Sequence, residues 1–450
     1  MKKVITLSLC TTLFITGCST TSLNQNAGKI GGTAVGAGIG AAIGKEIGGD
    51  SGALVGALIG GTFGYLIGDE IDKRRVALAK IAKEENLKAT SQDIEVKDKN
   101  KKEKGDLFVV QSDNKQFESK NEQLEEKTKK VYEKFANEYK NTNKKLLIVS
   151  HTDDKGKSLE NQKVTEERAK EIAKIFKESG VSEENIYYVG AGDSQPIADN
   201  KTKEGQQQNN RIEIVELQSE DQIVTYNNSK ITNPKYISPN SNTVSNKSKI
   251  KHFIDFNGVK VLDNQLANND KFGAQVSDSS FSFVTKAFAS NKIEQSYFNC
   301  LQDKPRVTGK TLSLKDGKDV SKISEYKKGM YGASWLGNAD NNLIGIFPVK
   351  VLKEGLKVEE NPNIAIYKDY IVGTDKKADY KIKTQVNTYQ GSNGVLYRIF
   401  ADDENTPFQC MDIVFDETDM SKSVANIYYA KNNENYTKEF SIQQLQKKGQ

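Results

Sequence analysis

The sequence predicts an α+β protein in three parts: an apolar, glycine-rich N-terminal helical hairpin, a central two-layer βαβαββ sandwich, and a β-rich C-terminal domain. Three observations carry this reading. Glycine recurs every four residues from Gly28 to Gly68. Between Leu107 and Leu217 the apolar residues switch repeatedly between strand and helical spacing. Beyond residue 250, short alternating apolar runs bounded by turn residues take over. A chain of 450 residues has room for about three domains. Its 65 Lys and Arg against 60 Asp and Glu give no clustered basic surface of the kind a nucleic-acid binder presents.

The N-terminus opens with Lys2 and Lys3 and an apolar run from Val4 to Ile15. These are the charged and apolar regions of a secretory signal, too short for a membrane span of roughly 20 residues. Ile15-Thr16-Gly17-Cys18 resembles the bacterial lipobox. The resemblance implies a signal peptide over 1–17, lipidation (palmitate) of Cys18, and a short tether over 18–27. Acyl chains contribute about 0.8 kcal/mol per buried methylene, so a multiply acylated Cys18 holds the chain on a bilayer. Ser19 rather than Asp follows the cysteine, which directs the expectation to the outer membrane, facing the periplasm. Cys10 leaves with the signal, and Cys300 and Cys410 remain. In an oxidising periplasm they form a plausible disulfide; two buried thiols are the alternative, because sequence supplies no distance.

Glycine stands at 28, 32, 36, 40, 44, 48, 52, 56, 60, 64 and 68. On a helix this spacing lays a smooth groove along one face, where a second backbone can approach closely. Lys45, Glu46, Asp50 and Ser51 divide the ladder into two arms. The segment resembles the glycine-zipper two-helix segments of bacterial envelope lipoproteins, which implies a membrane-associated hairpin over 28–70 and self-association through the ladder. A soluble, oligomeric or disordered glycine-rich spacer is the alternative. Residues 71–106 then read as a charged helix and hairpin linker, with Lys97–Lys104 as the solvated tip.

In the central part, Leu107–Val110 is a strand, and Leu124, Thr128, Val131, Tyr132, Phe135 and Tyr139 recur at helical spacing. Leu146–Val149 is a buried strand. Thr165 stands where an N-cap is expected, with Glu166 and Glu167 after it and Ala169, Ile172, Ala173 and Phe176 as the buried stripe. Ile186–Val189 and Arg211–Leu217 are the last strands.

The connections between these elements resemble the OmpA-like peptidoglycan-binding domain over 107–217. The matching residues are His151-Thr152-Asp153, Asn161 and Arg168-Ala169. Gly190-Ala191-Gly192-Asp193-Ser194-Gln195-Pro196-Ile197-Ala198-Asp199-Asn200, Glu204-Gly205, Asn209, Arg211 and Ile212 follow. Signal, lipobox, glycine zipper and this domain, in that order, also resemble outer-membrane lipoproteins of the YiaD type. The resemblance implies a ligand, the diaminopimelate-bearing stem peptide of peptidoglycan, and four binding residues: Asp153, Asn161, Arg168 and Arg211. Their chemistry suits it. Diaminopimelate carries an ammonium and a carboxylate on one carbon, so Asp153 takes the first and Arg168 holds the second bidentately. Arg168, read as lying in a first helical turn, gains from the free N–H groups there. Asn161 adds neutral hydrogen bonds. The chain departs from the family at Ser150, at Val164-Thr165, and at Gln206 and Asn210, which replace two closing arginines.

Nothing in the pattern calls for catalysis, a metal or a cofactor. His151 beside Ser150 and Asp153 invites a triad reading, but adjacent strand residues point to opposite faces, and His252 is the only other histidine. His151 reads as a structural residue at a strand end.

Residues 218–250, rich in Asn, Ser and Thr, read as a flexible linker. The C-terminal domain over 251–450 offers strands at Phe253–Phe256, Phe281–Val284, Ile344–Val351, Ile364–Val372, Tyr380–Val386, Val395–Phe400, Met411–Phe415 and Val424–Tyr429. Asp402, Asp403, Glu404, Asp412, Asp416, Glu417 and Asp419 read as a solvated acidic face, and Tyr428 and Tyr429 as strand packing. Its partner is unknown. The expectation is a non-catalytic outer-membrane lipoprotein that binds peptidoglycan and tethers the membrane to the wall. Two other readings stay open: a wall-anchored component of a secretion or motility machine, or an enzyme with its chemistry in 251–450.

Overall fold

The computed structural model describes residues 70–98, 101–111, 124–230, 254–261, 299–321, 325–353, 355–390, 394–402 and 405–445. The signal peptide, the lipobox with Cys18, the glycine-zipper hairpin, His252 and the Phe281–Val284 strand lie outside the described residues.

The charged run after Gly68 begins helix α1 (Glu70–Glu84), followed by the hairpin β1 (Ala89–Asp98) and β2 (Lys101–Gln111). Then come α2 (Glu126–Tyr139), β3 (Lys145–His151), α3 (Ser158–Glu178), β4 (Ile186–Gly192), α4 (Lys203–Asn209), β5 (Arg211–Leu217) and α5 (Glu220–Asn228). The strands form one sheet in the order β1-β2-β5-β3-β4; β3 and β4 are parallel and the other pairs antiparallel. Period-two alternation decides which face each residue serves. Leu146, Ile148, Ile212 and Ile214 face a core shared with Phe135 and Tyr139 of α2 and with Ile172 and Phe176 of α3. Leu147, Val149, Val215 and Leu217 face the opposite side, where Ile223 and Tyr226 of α5 cover them.

Three expectations are corrected here. The sheet is covered on both faces, so the unit is not a two-layer sandwich. The first residues of the expected flexible linker form α5, because Ile223, Val224 and Tyr226 amid polar neighbours supply an apolar stripe for the sheet's second face. The segment 71–106 is part of the domain rather than a linker. Arg74 ion-pairs with buried Glu216, and Arg75 donates to buried Asp106 at 2.8 Å, so α1 docks through its cations.

The C-terminal part begins, within the described residues, with β6 (Val259–Lys260) and the segment carrying β7 (Leu312–Ser313). Strands β8 (Tyr326–Ala339), β9 (Asn342–Leu352), β10 (Val358–Glu360), β11 (Asn363–Tyr367) and β12 (Tyr380–Gln390) follow, then β13 (Gly394–Ala401), β14 (Cys410–Asp416), β15 (Val424–Lys431) and β16 (Glu434–Gln444). Strands β9, β11, β12, β13, β14, β15 and β16 pair in that order, and β8 bridges β16 back to β9. The result is a closed eight-stranded antiparallel barrel, with no free edge along its main wall. Its interior is apolar and packed: Trp335 meets Phe415 at 4.8 Å between ring centroids, and Tyr397 meets Phe415 at 5.7 Å. Lys381 and Lys383 point outward while Ile382 and Val386 point in, the alternation of a barrel that folds around its own core.

Of the eight barrel strands, two were not legible in sequence. Strand β8 breaks register at several points and carries Gly329 and Gly332 at positive φ, so its bulges interrupt the alternation. Strand β16 sets Lys438 on the same face as Phe440 and Ile442, paired with core residue Ile427, so a charge interrupts its apolar alternation. The acidic face is also corrected in part, since Asp412 is buried and binds Arg398 at 2.7 Å. Cys300 and Cys410 are disulfide-bonded, with Cα atoms 6.0 Å apart, and Tyr428 and Tyr429 are buried strand residues.

Candidate binding site

Strand β3 ends at His151, and the loop Thr152–Lys157 leads from it into α3. Five hydrogen bonds shape that loop. The Asn210 carboxamide accepts from the Thr152 hydroxyl at 3.0 Å and from the Asp153 N–H at 3.3 Å, and donates to Asp153 Oδ2 at 2.9 Å. The Lys155 N–H donates to Asp153 Oδ1 at 3.1 Å. Asn161 donates to the Lys155 carbonyl at 2.8 Å and so closes the turn in which Gly156 takes φ +86°. Asp153 and Asn161 are therefore brought to one loop.

The other two residues stand elsewhere. Helix α3 starts at Ser158, so Arg168 is its eleventh residue, about 15 Å along the axis and beyond the reach of the first-turn N–H groups. The expected cap at Thr165 lies inside the helix. Its hydroxyl back-bonds to the Asn161 and Gln162 carbonyls (2.8 and 2.9 Å) and accepts from the Gly192 N–H at 2.9 Å, fastening the helix to β4. Half-buried Arg168 faces α2, where burial pushes the Tyr132 phenol upward and the Arg168 charge opposes it.

Arg211 is 2 % exposed and is taken up by the domain itself. Its guanidinium donates to Glu213 Oε1 at 3.0 Å and to the Gln195 carbonyl at 3.2 Å. Glu213 also receives the Tyr226 hydroxyl at 3.1 Å and the Lys230 ammonium at 3.3 Å. His151 Nε2 lies 3.3 Å from Glu213 Oε1, close enough for attraction but without hydrogen-bond alignment. Burial, then the Arg211 charge, lower the His151 imidazole to about 4. The cluster sits under α5, on the sheet face away from α3. Arg211 is thus bonded into the framework, on the opposite sheet face from α3.

The glycines of the downstream loop have a steric role. A Cβ on Gly190 would fall on the backbone of Glu166 and Gln162, so only glycine lets β4 lie against α3. Asp193, next in the loop, is buried and accepts the Ser158 hydroxyl at 2.8 Å. Sequence reasoning quoted Asp193 within a motif and Asn210 as a departure, and assigned neither a role. It missed Lys304, whose ammonium binds Asp193 Oδ2 at 2.9 Å and also donates to the Asp154 and Gly156 carbonyls. Burial raises the Asp154 carboxyl, and the Lys304 charge draws it back.

A parallel β3–β4 pair flanked by antiparallel neighbours, with helices α2 and α3 on one face and an acid loop at the end of β3, defines an OmpA-like domain. Residues 116–211 match the OmpA family, and residues 1–72 match the YMGG-like Gly-zipper family. Similar proteins include the outer-membrane lipoprotein YfiB of Pseudomonas aeruginosa, 42 % identical over 16 % of this chain and 42 % of that one. The probable lipoprotein YiaD of Escherichia coli is 36 % identical over 15 % of this chain and 31 % of its own. The chain spans less than half the length of these curated relatives. Among solved structures, the peptidoglycan-associated lipoprotein of Burkholderia pseudomallei aligns at 23 % identity and TM-score 0.21, covering 24 % of this chain and 88 % of that one.

Proposed function

We propose that the protein is an outer-membrane lipoprotein, facing the periplasm, that binds peptidoglycan non-covalently through the diaminopimelate stem peptide and so ties membrane to wall. The carrying observation is the setting of Asp153. Among the described residues its carboxylate is held by an amide and a backbone N–H, both neutral. Neutral donors fix the orientation of a carboxylate while leaving its charge to be balanced by an incoming cation. Asn210, which replaces a family arginine, is what makes the holder neutral. The ammonium of diaminopimelate is such a cation, and Arg168, midway along α3, is the guanidinium fork this reading assigns to the carboxylate. The names of the relatives support the outer-membrane assignment, and Cys18 supplies the lipid attachment. The domain acts by binding, with no catalytic step.

Co-sedimentation with purified diaminopimelate-containing sacculi tests this. Asp153→Asn is nearly isosteric and removes the charge, giving up one of the two accepted hydrogen bonds, and Arg168→Gln removes the fork. Each is expected to abolish sedimentation of a protein that still melts cooperatively. Undiminished sedimentation of Asp153→Asn overturns the reading.

A further inference from the structure

One stretch of chain, residues 299–313, touches both domains, and its two ends are held differently. The part from Cys300 to Arg306 is fixed to the barrel. Cys300 is bonded to Cys410, and its N–H donates to Asp412 at 3.2 Å. Asp303, fully buried, accepts from Arg398 at 2.9 Å and from the Tyr389 hydroxyl at 2.6 Å, and pairs with Arg306 at 2.7 Å. Asn387 accepts the Arg306 N–H and donates to the Lys304 carbonyl, at 2.8 and 2.7 Å.

Beyond it the strap lies on the OmpA-like domain. The Thr308 hydroxyl donates to Ser194 at 2.7 Å, the Gly309 N–H donates to the Gly190 carbonyl at 2.8 Å, and β7 adds a strand to the edge of β4. Thr311 accepts from Asn227 of α5 at 2.8 Å. Lys304 stands at the hand-over, its backbone on the barrel and its side chain in the other domain.

That side chain has a built receptor. An ammonium has three N–H donors, and Lys304 directs them to the Asp193 carboxylate, the Asp154 carbonyl and the Gly156 carbonyl. Asp193 is fully buried; apart from Lys304, its carboxylate has the Ser158 hydroxyl as partner. The two carbonyls flank Lys155, whose N–H orients Asp153. Lys304 takes no oxygen of Asp153. It joins the loop 153–156, the start of α3 and the loop after β4 through one atom.

We propose that Lys304 is a positioning residue for murein recognition: the barrel domain presents it through the strap to hold the Asp153 loop in its binding shape. This rests on the murein reading of Asp153 and gives the barrel a part in it. Without Lys304 the Asp153 carboxylate keeps its Asn210 contact but loses the outer support of its loop. The loss of charge-assisted hydrogen bonds at that strength corresponds to roughly tenfold weaker binding.

The test uses the full-length protein in detergent with purified sacculi. Lys304→Met also strands the buried Asp193 charge, so the double variant Lys304→Met/Asp193→Asn accompanies it and removes that penalty. The double variant is expected to melt near the wild-type temperature yet bind sacculi about tenfold more weakly. Wild-type affinity in the folded double variant, or tighter binding by either variant, overturns the proposal. Asp153→Asn separates the two readings. If wild type sediments, Asp153→Asn does not, and the double variant matches wild type, only the role of Lys304 falls; if wild type itself fails to sediment, the murein reading falls first.

Discussion

The buried histidine gives the most direct physical test of the central domain. His151 ends β3 within a cluster of Glu213, Arg211, Lys230 and the Tyr226 hydroxyl, and is 2 % exposed. Burial and the adjacent Arg211 disfavour the imidazolium, placing the folded value at about 4 against an ordinary 6.5. At about 1.36 kcal/mol per unit, the difference corresponds to roughly 3 kcal/mol. The sign follows from which state binds the proton. The unfolded chain takes it up as pH falls through about 6.5, the folded one only near 4, so this contribution is present at neutral pH and lost between those values. The chain has two histidines, so the imidazole C–H resonances give two titration curves, assigned with His151→Gln. One curve is expected to bend near 4. A His151 curve centred at 6.5 in folded protein would refute the buried cluster and with it the framework role of Arg211.

Other outcomes follow from separate parts of the chain. Cys18→Ser is expected to move the protein out of the membrane fraction; unchanged fractionation would credit the glycine ladder instead of the lipid. Thiol labelling of the exported protein is expected to find Cys300 and Cys410 unreactive until reductant is added, and Cys410→Ser to lower stability by about 4–5 kcal/mol, since the bond closes a loop of 110 residues. Gly190→Ala is expected to destabilise the central domain by about 3 kcal/mol, the upper end of overpacking costs, read from its thermal transition, because the methyl group meets helix backbone. Asp303→Asn, which leaves Arg306 and Arg398 buried without their shared acid, is expected to cost about 3–5 kcal/mol by denaturant unfolding.

Where a local pattern dictates the element, the sequence was legible. Leu146–Val149 lies within β3, a continuous apolar run buried on both faces, and Arg211–Leu217 is β5, where Ile212 and Ile214 alternate with charges that packing on the second face also buries. The helix start was misread because the signal is ambiguous: Thr165 before two glutamates has the composition of a cap, yet its hydroxyl is used to bind helix to strand. The true start at Ser158 has no side-chain cap from Lys157, so no capping residue marks it. The burial of Arg211 was not foreseen for a related reason. An arginine in a motif looks the same whether it meets a ligand or a buried glutamate two residues along, and only packing under α5 separates the two.

The residues that sequence could not reach are those whose partners lie far along the chain. Lys304 meets Asp154 across 150 positions, and Asp303 meets Arg398 across 95. No spacing rule connects such pairs, and Lys304 has no motif around it. Their placement nonetheless makes physical sense of the domain order. A loop such as the one at the end of β3 is mobile by default; Asn210 and Asn161 hold it from within, and Lys304 holds it from the barrel. The barrel can supply that hold because its own end of the strap is fixed by a disulfide and by buried ion pairs.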